Sequence, residues 1–565
     1  MARLTTAGNR TQEDGDAVMK GVPSSEYRVP SIWRLALVSV LALTASSAWA
    51  QQAATKHKPP APPELPANVV TLASPSPLYE VEIMVRAGSA EDARGKEGTA
   101  SLAGRMMLEG GFGDLKYPVT KEKLAEITRP WGEAAYPQVR VEKETTTFSM
   151  TVPRDAFPQF VARVLKPMLT QPLFLQAELE RVRKESLVGI RSNLRFEQQE
   201  QLGLLALDDW VLEGTPLAHL AQGTVAGLQG VTRDDLQGYY NMQYQGLNMF
   251  VATSISDPAM LRLLVSSLPS STDSLPGRQH SHANTPASHH LLIITQPNAI
   301  ATGLYLGFPI AVRRGEPDYW PLFVANVFFG AHRDNIGRLY KDIREERGYN
   351  YGDYSYIEYY AARPYALFPP PGTPREQQYF SMWIRPVGHQ YAHFILKAMT
   401  WELDNFIKNG MTPEQVEAAK QKARTLYLNY ADSKGRQLGY RLDDMFYGMK
   451  DHGYLAEMLA NIDKLTAEQV NAAIKKHLQV ANLKYVIVTN ESQAQKLAGD
   501  IAGDTNVVSK TREEYHISEP APPEKQKMLA QDDQWKAYKL NIPRENITIV
   551  KAEQMFETNA TAGMK

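Results

Sequence analysis

Histidine and cysteine are the residues that most often bind metals or act as nucleophiles, and their distribution here is uneven. The chain has no cysteine and 12 histidines among 565 residues. Without cysteine there is no disulfide, no thiolate zinc site and no cysteine nucleophile. Between His57 and His219 there is no histidine at all. His389 and His393 stand at i and i+4, a spacing that places two imidazoles on one helix face. No carboxylate spacing near them or near His332 marks a metal site, so a helix surface is the expectation for the pair. His280, His282, His289 and His290 fall in or beside a segment rich in Ser, Pro and Asn that offers no carboxylate partners. Adventitious metal binding, not a built site, is expected there. A serine hydrolase needs a positioned Ser, base and acid, and no Gly-x-Ser-x-Gly is present.

Any site must be placed by the elements around it, and those elements repeat. Residues 201–209 read Gln-Leu-Gly-Leu-Leu-Ala-Leu-Asp-Asp, and residues 437–444 read Gln-Leu-Gly-Tyr-Arg-Leu-Asp-Asp. Thr232 and Thr466 are candidate helix N-caps, and Thr466 with Gln469 forms a capping box. Asn248 and Asn482 follow them at equal distance, each opening an apolar stretch. Residues 78–85 alternate as a strand before a helical stretch, and 304–310 followed by 318–329 repeat that order. The chain therefore reads as α+β, with two homologous domains at 67–265 and 289–505. Each is expected to be an antiparallel sheet backed by long helices, such as 176–195 and 412–430. Residues 266–288 read as a linker. Residues 506–565 read as a C-terminal strap that lies over a domain, with 547–550 as a strand.

The N-terminus reads as an address. An apolar run at 35–45 follows Arg28 and Arg34 and precedes Ala48-Trp49-Ala50. That order predicts a secretory signal peptide over 1–50, with Met19 as an alternative start, and a Pro-rich linker over 51–66. Export without cysteine suits a bacterial periplasm. No later run is long enough for a membrane span, so none is expected after cleavage. A net charge of −1 gives no basis for general nucleic-acid binding.

Three segments resemble the pitrilysin/insulinase family of zinc peptidases, in its mitochondrial-processing-peptidase-like form. The first is Arg86-Ala87-Gly88-Ser89-Ala90-Glu91-Asp92 with Gly98-Thr99-Ala100-Ser101-Leu102-Ala103-Gly104-Arg105-Met106. The second begins Glu178-Leu179-Glu180-Arg181-Val182. The third, Gly337 to Tyr351, contains Arg344-Glu345-Glu346-Arg347-Gly348-Tyr349-Asn350-Tyr351 and is the most specific. The resemblance covers about 67–505 and implies a half-clamshell of two domains.

In that family H-x-x-E-H supplies two zinc ligands and a general base, and a further Glu is the third ligand. Here the His positions are Ser101 and Arg105, the base position is Gly104, and the third-ligand position is read as Gly189. The resemblance thus implies a degenerate site with no catalytic residue and no bound metal. A guanidinium about 4 Å from Zn²⁺ would cost on the order of 8 kcal/mol at an effective dielectric of about 20. The bland reading of Ser101, Gly104 and Arg105 is ordinary helix and surface positions, with Arg105 in reach of Glu109 at i+4. Arg344 and Tyr351 match the family's substrate-binding pair, whose donors hold a peptide carbonyl. The competing reading pairs Arg344 with Glu345 or Asp342 and packs Tyr351 in a sheet. Tyr349, Tyr354, Tyr356, Tyr359 and Tyr360 lie close by and suit either a strand face or a peptide groove.

The expected function is a noncatalytic subunit that binds peptide and completes the site of a homologous partner bearing H-x-x-E-H. No cofactor is expected in this chain, and zinc only in that partner. The alternative is a peptide-binding or scaffold protein without any role in hydrolysis.

Overall fold

The computed structural model describes residues 66–271, 283, 286–330, 335–359, 371–449 and 453–559. The expected signal peptide, residues 51–65 of the expected 51–66 linker, most of the 266–288 linker, and His280, His282, His332 and Tyr360 lie outside the described residues.

Among the described residues, eleven strands form two sheets. The first contains β1 (Val69–Thr71), β2 (Leu78–Val85), β3 (Gln138–Val141), β4 (Thr146–Pro153) and β5 (Met249–Thr253). The second contains β6 (His290–Thr295), β7 (Thr302–Ile310), β8 (Asp353–Tyr356), β9 (Gln378–Val387), β10 (Lys484–Thr489) and β11 (Ile547–Lys551). Their orders are β1-β5-β2-β4-β3 and β11-β6-β10-β7-β9-β8. Without β11 the two orders are the same, strand for strand. Each sheet is antiparallel through its centre, as expected. It is parallel at one edge, where β1 pairs β5 and β6 pairs both β10 and β11. β1 and β5, like β6 and β10, are the first and last strands of a half, and the helices between them supply the long crossover that parallel pairing needs.

The repeated N-caps lie at equivalent places. Thr232 caps helix Arg233–Gln243 and Thr466 caps helix Ala467–His477, both with complete capping boxes. The strands β5 and β10 then follow.

Strand alternation sends side chains to two different cores. On β2, Tyr79, Val81, Ile83 and Val85 join the first core, while Met84 joins a small cluster with Leu438, Leu442 and Phe446. Those three belong to helix Lys434–Phe446 of the second half. On β7, Leu304, Leu306 and Phe308 join the second core, while Tyr305 packs with Leu202, Ala206 and Leu207. Those belong to helix Gln199–Val211 of the first half. Each half therefore lays one helix on the other half's sheet, and the exchanged helices are the two Gln-Leu-Gly…Leu-Asp-Asp repeats.

The stretch after residue 505 contributes helix Pro523–Ala537 against helix Ala392–Asn409, and then β11 at the edge of the second sheet. Its last described residues lie against the first half, where Arg195 Nε donates to the Met555 carbonyl (2.9 Å). The amides of Val225 and Ala226 donate to the carbonyls of Phe556 and Glu557 (2.9 and 2.8 Å). Among the described residues no helix is long and apolar enough to cross a membrane.

Candidate functional site

Helix Thr99–Glu109 carries the positions of the zinc motif. Its N-terminus is capped from a distance. Asp92 accepts from the amides of Gly98 and Ala100, both at 2.7 Å, which satisfies donors that a helix start leaves open. Ser101 is buried. Gly104 lies so close to β3 and β4 that a Cβ there would meet Val141 Cγ2 at 2.5 Å and Val139 and Thr146 methyls at 3.5 Å.

Arg105 leans across to helix Gln176–Val188. Its guanidinium bonds Glu109 (3.0 Å), Glu185 (2.6 Å) and Ser186 Oγ (3.1 Å). Glu109 also receives Lys121 (2.8 Å) and Arg181 (3.0 Å), and Arg181 bonds Glu178 and Glu185 (2.8 Å each). Three cations and three carboxylates thus interlock. Partial burial opposes the charge on Glu109, but Lys121, Arg105 and Arg181 outweigh it and hold its carboxyl at about 2. The bond from Arg105 likewise holds Glu185 low. The expected Arg105–Glu109 contact is present, within a larger network.

The expected third-ligand position, Gly189, lies just past helix Gln176–Val188. Gly189 begins a π-type helical stretch, and nothing lies within 4 Å of where its Cβ would be. The residues facing Arg105 are Glu185 and Ser186, one turn earlier. The donor set around Arg105 does not fit zinc, because a fixed cation already occupies the carboxylates and no imidazole is present.

Arg344 and Tyr351 lie on the second half. Arg344 belongs to a π-type turn, Tyr340–Glu345, and Tyr351 precedes β8. Gly348 between them has φ +65°, a conformation that favours glycine, and its amide donates to the Arg344 carbonyl (2.7 Å). The Arg344 side chain is 34% exposed, lies over the Tyr340 ring at 5.1 Å, and reaches Glu345 only at 3.7 Å. Tyr351 is 73% exposed and has no hydrogen-bond partner among the described residues. It does not pack in the sheet. Its neighbours Tyr349, Tyr354, Tyr356 and Tyr359 are buried, so of these tyrosines it is Tyr351 that faces solvent.

The i,i+4 histidines do not pair, and neither sits on an open helix surface. His389 lies in a 3₁₀ turn before the helix and meets Thr302 Oγ1 (2.8 Å) and Asn490 Nδ2 (3.0 Å). His393 is buried in the helix, with Nδ1 3.1 Å from the Thr505 carbonyl. Burial, and then Lys397, push it down to about 4, so it is neutral at ordinary pH. His289 Nδ1 accepts from the Leu483 amide (3.1 Å).

The fold and the altered helix together define a peptidase-type scaffold without its metal-binding residues. Residues 68–202 match the family model described as Insulinase (Peptidase family M16), and residues 230–423 match Peptidase M16 inactive domain. The non-peptidase homolog YmxG of Helicobacter pylori is 23% identical over 432 residues, covering 74% of this chain and 90% of that protein. Among solved structures, a peptidase M16 inactive domain from Pseudomonas fluorescens superposes with a TM-score of 0.64 at 21% identity, covering 75% of this chain and 95% of that one. A protease from Helicobacter pylori gives 0.64 at 11% identity, over 74% and 96% of the two chains. The chain belongs to peptidase family M16, as a noncatalytic M16-like homologue.

Sequence reasoning missed the packing of Gly104 on β3 and the anchoring of Arg347 and Tyr349. The repeated Leu-Asp-Asp did carry a signal. Asp208 and Asp443 are buried and pair with Arg375 (2.6 Å) and Arg314 (2.8 Å).

Proposed function

We propose that this chain is an exported, noncatalytic M16 subunit that binds peptide through Arg344 and Tyr351 and completes the site of a homologous partner bearing H-x-x-E-H. One observation carries the reading. Tyr351 faces solvent and Arg344, part-exposed, pairs with Glu345 at 3.7 Å and lies over the Tyr340 ring, while the helix at the zinc-motif positions is closed by ion pairs. A guanidinium and a phenol on one turn supply donors for a peptide carbonyl and for negative charge that develops on it. Zinc would belong to the partner and supply the activated water there.

The test mixes the purified chain with a secreted homologue that has the intact motif and follows cleavage of a peptide library. Stimulation is expected. Arg344→Ala or Tyr351→Phe should reduce it by about a hundredfold, the usual scale for one lost donor of this kind. No stimulation, or stimulation untouched by both variants, would sink the proposal. Stable association without any change in hydrolysis would favour the scaffold alternative. Export is checked separately, by the N-terminal sequence of the mature chain.

A further inference from the structure

The turn bearing Arg344 and Tyr351 sends two side chains outward and two inward. The inward pair, Arg347 and Tyr349, is buried. Both meet the C-terminal stretch between Lys510 and Trp535. Arg347 Nε donates to Asp532 Oδ1 (2.7 Å), and Nη2 donates to the Met528 carbonyl (3.0 Å) and Gln531 Oε1 (2.8 Å). Its guanidinium lies 4.1 Å from the centre of the Trp535 ring. The hydroxyls of Tyr349 and Tyr515 are 2.7 Å apart, and Tyr515 donates to the other oxygen of Asp532 (2.9 Å). The backbone of the turn is held as well. Lys510 Nζ donates to the carbonyls of Arg347 and Gly348 (2.9 Å each), and its amide donates to Tyr349 Oη (2.9 Å).

Asp532 therefore ties both inward side chains to one point. A buried ion pair is weak evidence for stability, because desolvation of both charges offsets most of their attraction, and packed apolar residues would serve stability as well. What such a pair fixes is geometry: a planar guanidinium with several directed acceptors has one orientation. Fixing Arg347 and Tyr349 fixes the backbone that runs between Arg344 and Tyr351.

We propose that the 510–535 stretch is a positioning element for the peptide site, with Arg347, Tyr349, Tyr515 and Asp532 setting the turn so that Arg344 and Tyr351 stand outward together. This rests on the reading of Arg344 and Tyr351 as peptide-binding. Displacement of about 1 Å can cost about a hundredfold in a positioned site, so a loosened turn should be felt there.

The experiment uses the full chain with fluorotyrosine at position 351, in the parent and in Tyr515→Phe and Asp532→Asn. Tyr515→Phe keeps the ring and loses only the hydroxyl, so it tests the idea even where Asp532→Asn folds poorly. Three readouts are taken: the fluorine signal, peptide affinity or partner stimulation, and the melting temperature. The expected result is a shifted or broadened fluorine signal and about tenfold weaker binding in Tyr515→Phe, with the melting temperature nearly unchanged. An unmoved signal with full binding in both variants overturns the positioning role and leaves the peptide site standing. A signal that moves while binding stays at the parent level also overturns it. If the parent binds no peptide and stimulates no partner, the peptide site falls. The positioning role falls with it.

Discussion

Arg105 joins helix Thr99–Glu109 to helix Gln176–Val188 through Glu109, Glu185 and Ser186. These pairs are partly exposed, so their net worth is small despite their number. Arg105→Ala is expected to cost about 1 kcal/mol in chemical denaturation. It should also raise the Glu109 pKa from about 2, with Lys121 and Arg181 still holding it below an ordinary glutamate. Carbon-detected NMR titration of that carboxyl would show it, and a pKa that stays put would remove Arg105 from the account. Gly104 makes a second point about the same helix. Restoring a zinc motif by substitution requires a side chain where Val141 already sits. Ser101→His/Gly104→Glu/Arg105→His is therefore expected to take up no stoichiometric zinc in a chelator competition. Tight one-to-one binding would mean that β3 yields more easily than close packing suggests.

The helices matter in pairs. A Cβ on Gly203 would lie 2.1 Å from the Tyr305 ring on β7, and one on Gly439 would lie 2.8 Å from Pro371 and 3.3 Å from Glu82 Oε2 on β2. Both glycines are the third residue of the repeated phrase and let an exchanged helix sit close to the other half. Alanine in a helix gains about 1 kcal/mol over glycine, while overpacking a fixed ring costs about 1–3 kcal/mol. Gly203→Ala should accordingly destabilise in urea, and a stabilised variant would show that Tyr305 has room to move. The repeat, the strand at 78–85, the caps at Thr232 and Thr466 and the strand at 547–550 were legible, because periodicity and cap chemistry are local. The exchange of helices was not. An amphipathic pattern says that a face is buried, not which sheet buries it. Arg344 and Tyr351 were legible as a motif. The roles of Arg347 and Tyr349 depend on partners more than 150 residues away, which no local pattern reports.

The two halves meet over buried carboxylates, and this gives the molecule a pH dependence with a definite sign. Glu82 on β2 is raised to about 8, chiefly by burial; Arg140 on β3 pulls it down, and Asp443 and Glu80 push it up. Asp443, on the exchanged helix Lys434–Phe446, is raised to about 7 by burial against the pull of Arg314, and Asp444 to about 6. Lys434, on the same helix, acts on Glu80. Unfolded carboxylates titrate near 4, so between about pH 4 and 8 these carboxyls hold more protons in the folded chain than in the unfolded one. Stability then falls as pH rises. The contribution is whole below the unfolded values and is lost as pH passes through 6 to 8. Two groups work the other way: Glu109 below about pH 4, since its folded value is about 2, and buried His393, held at about 4, below the ordinary histidine range of about 6.5. The midpoint of unfolding should therefore peak in mildly acidic solution and decline toward pH 8.5. Glu82→Gln carries a neutral side chain at every pH, so it should flatten that decline and exceed the parent in stability at pH 8. Melting curves of the two chains from pH 5 to 8.5 decide it. A parent midpoint that rises with pH, or a Glu82→Gln curve parallel to the parent's, would mean that the junction of β2 with the exchanged helix stays charged and finds its counter-charge in Arg140 and Lys434.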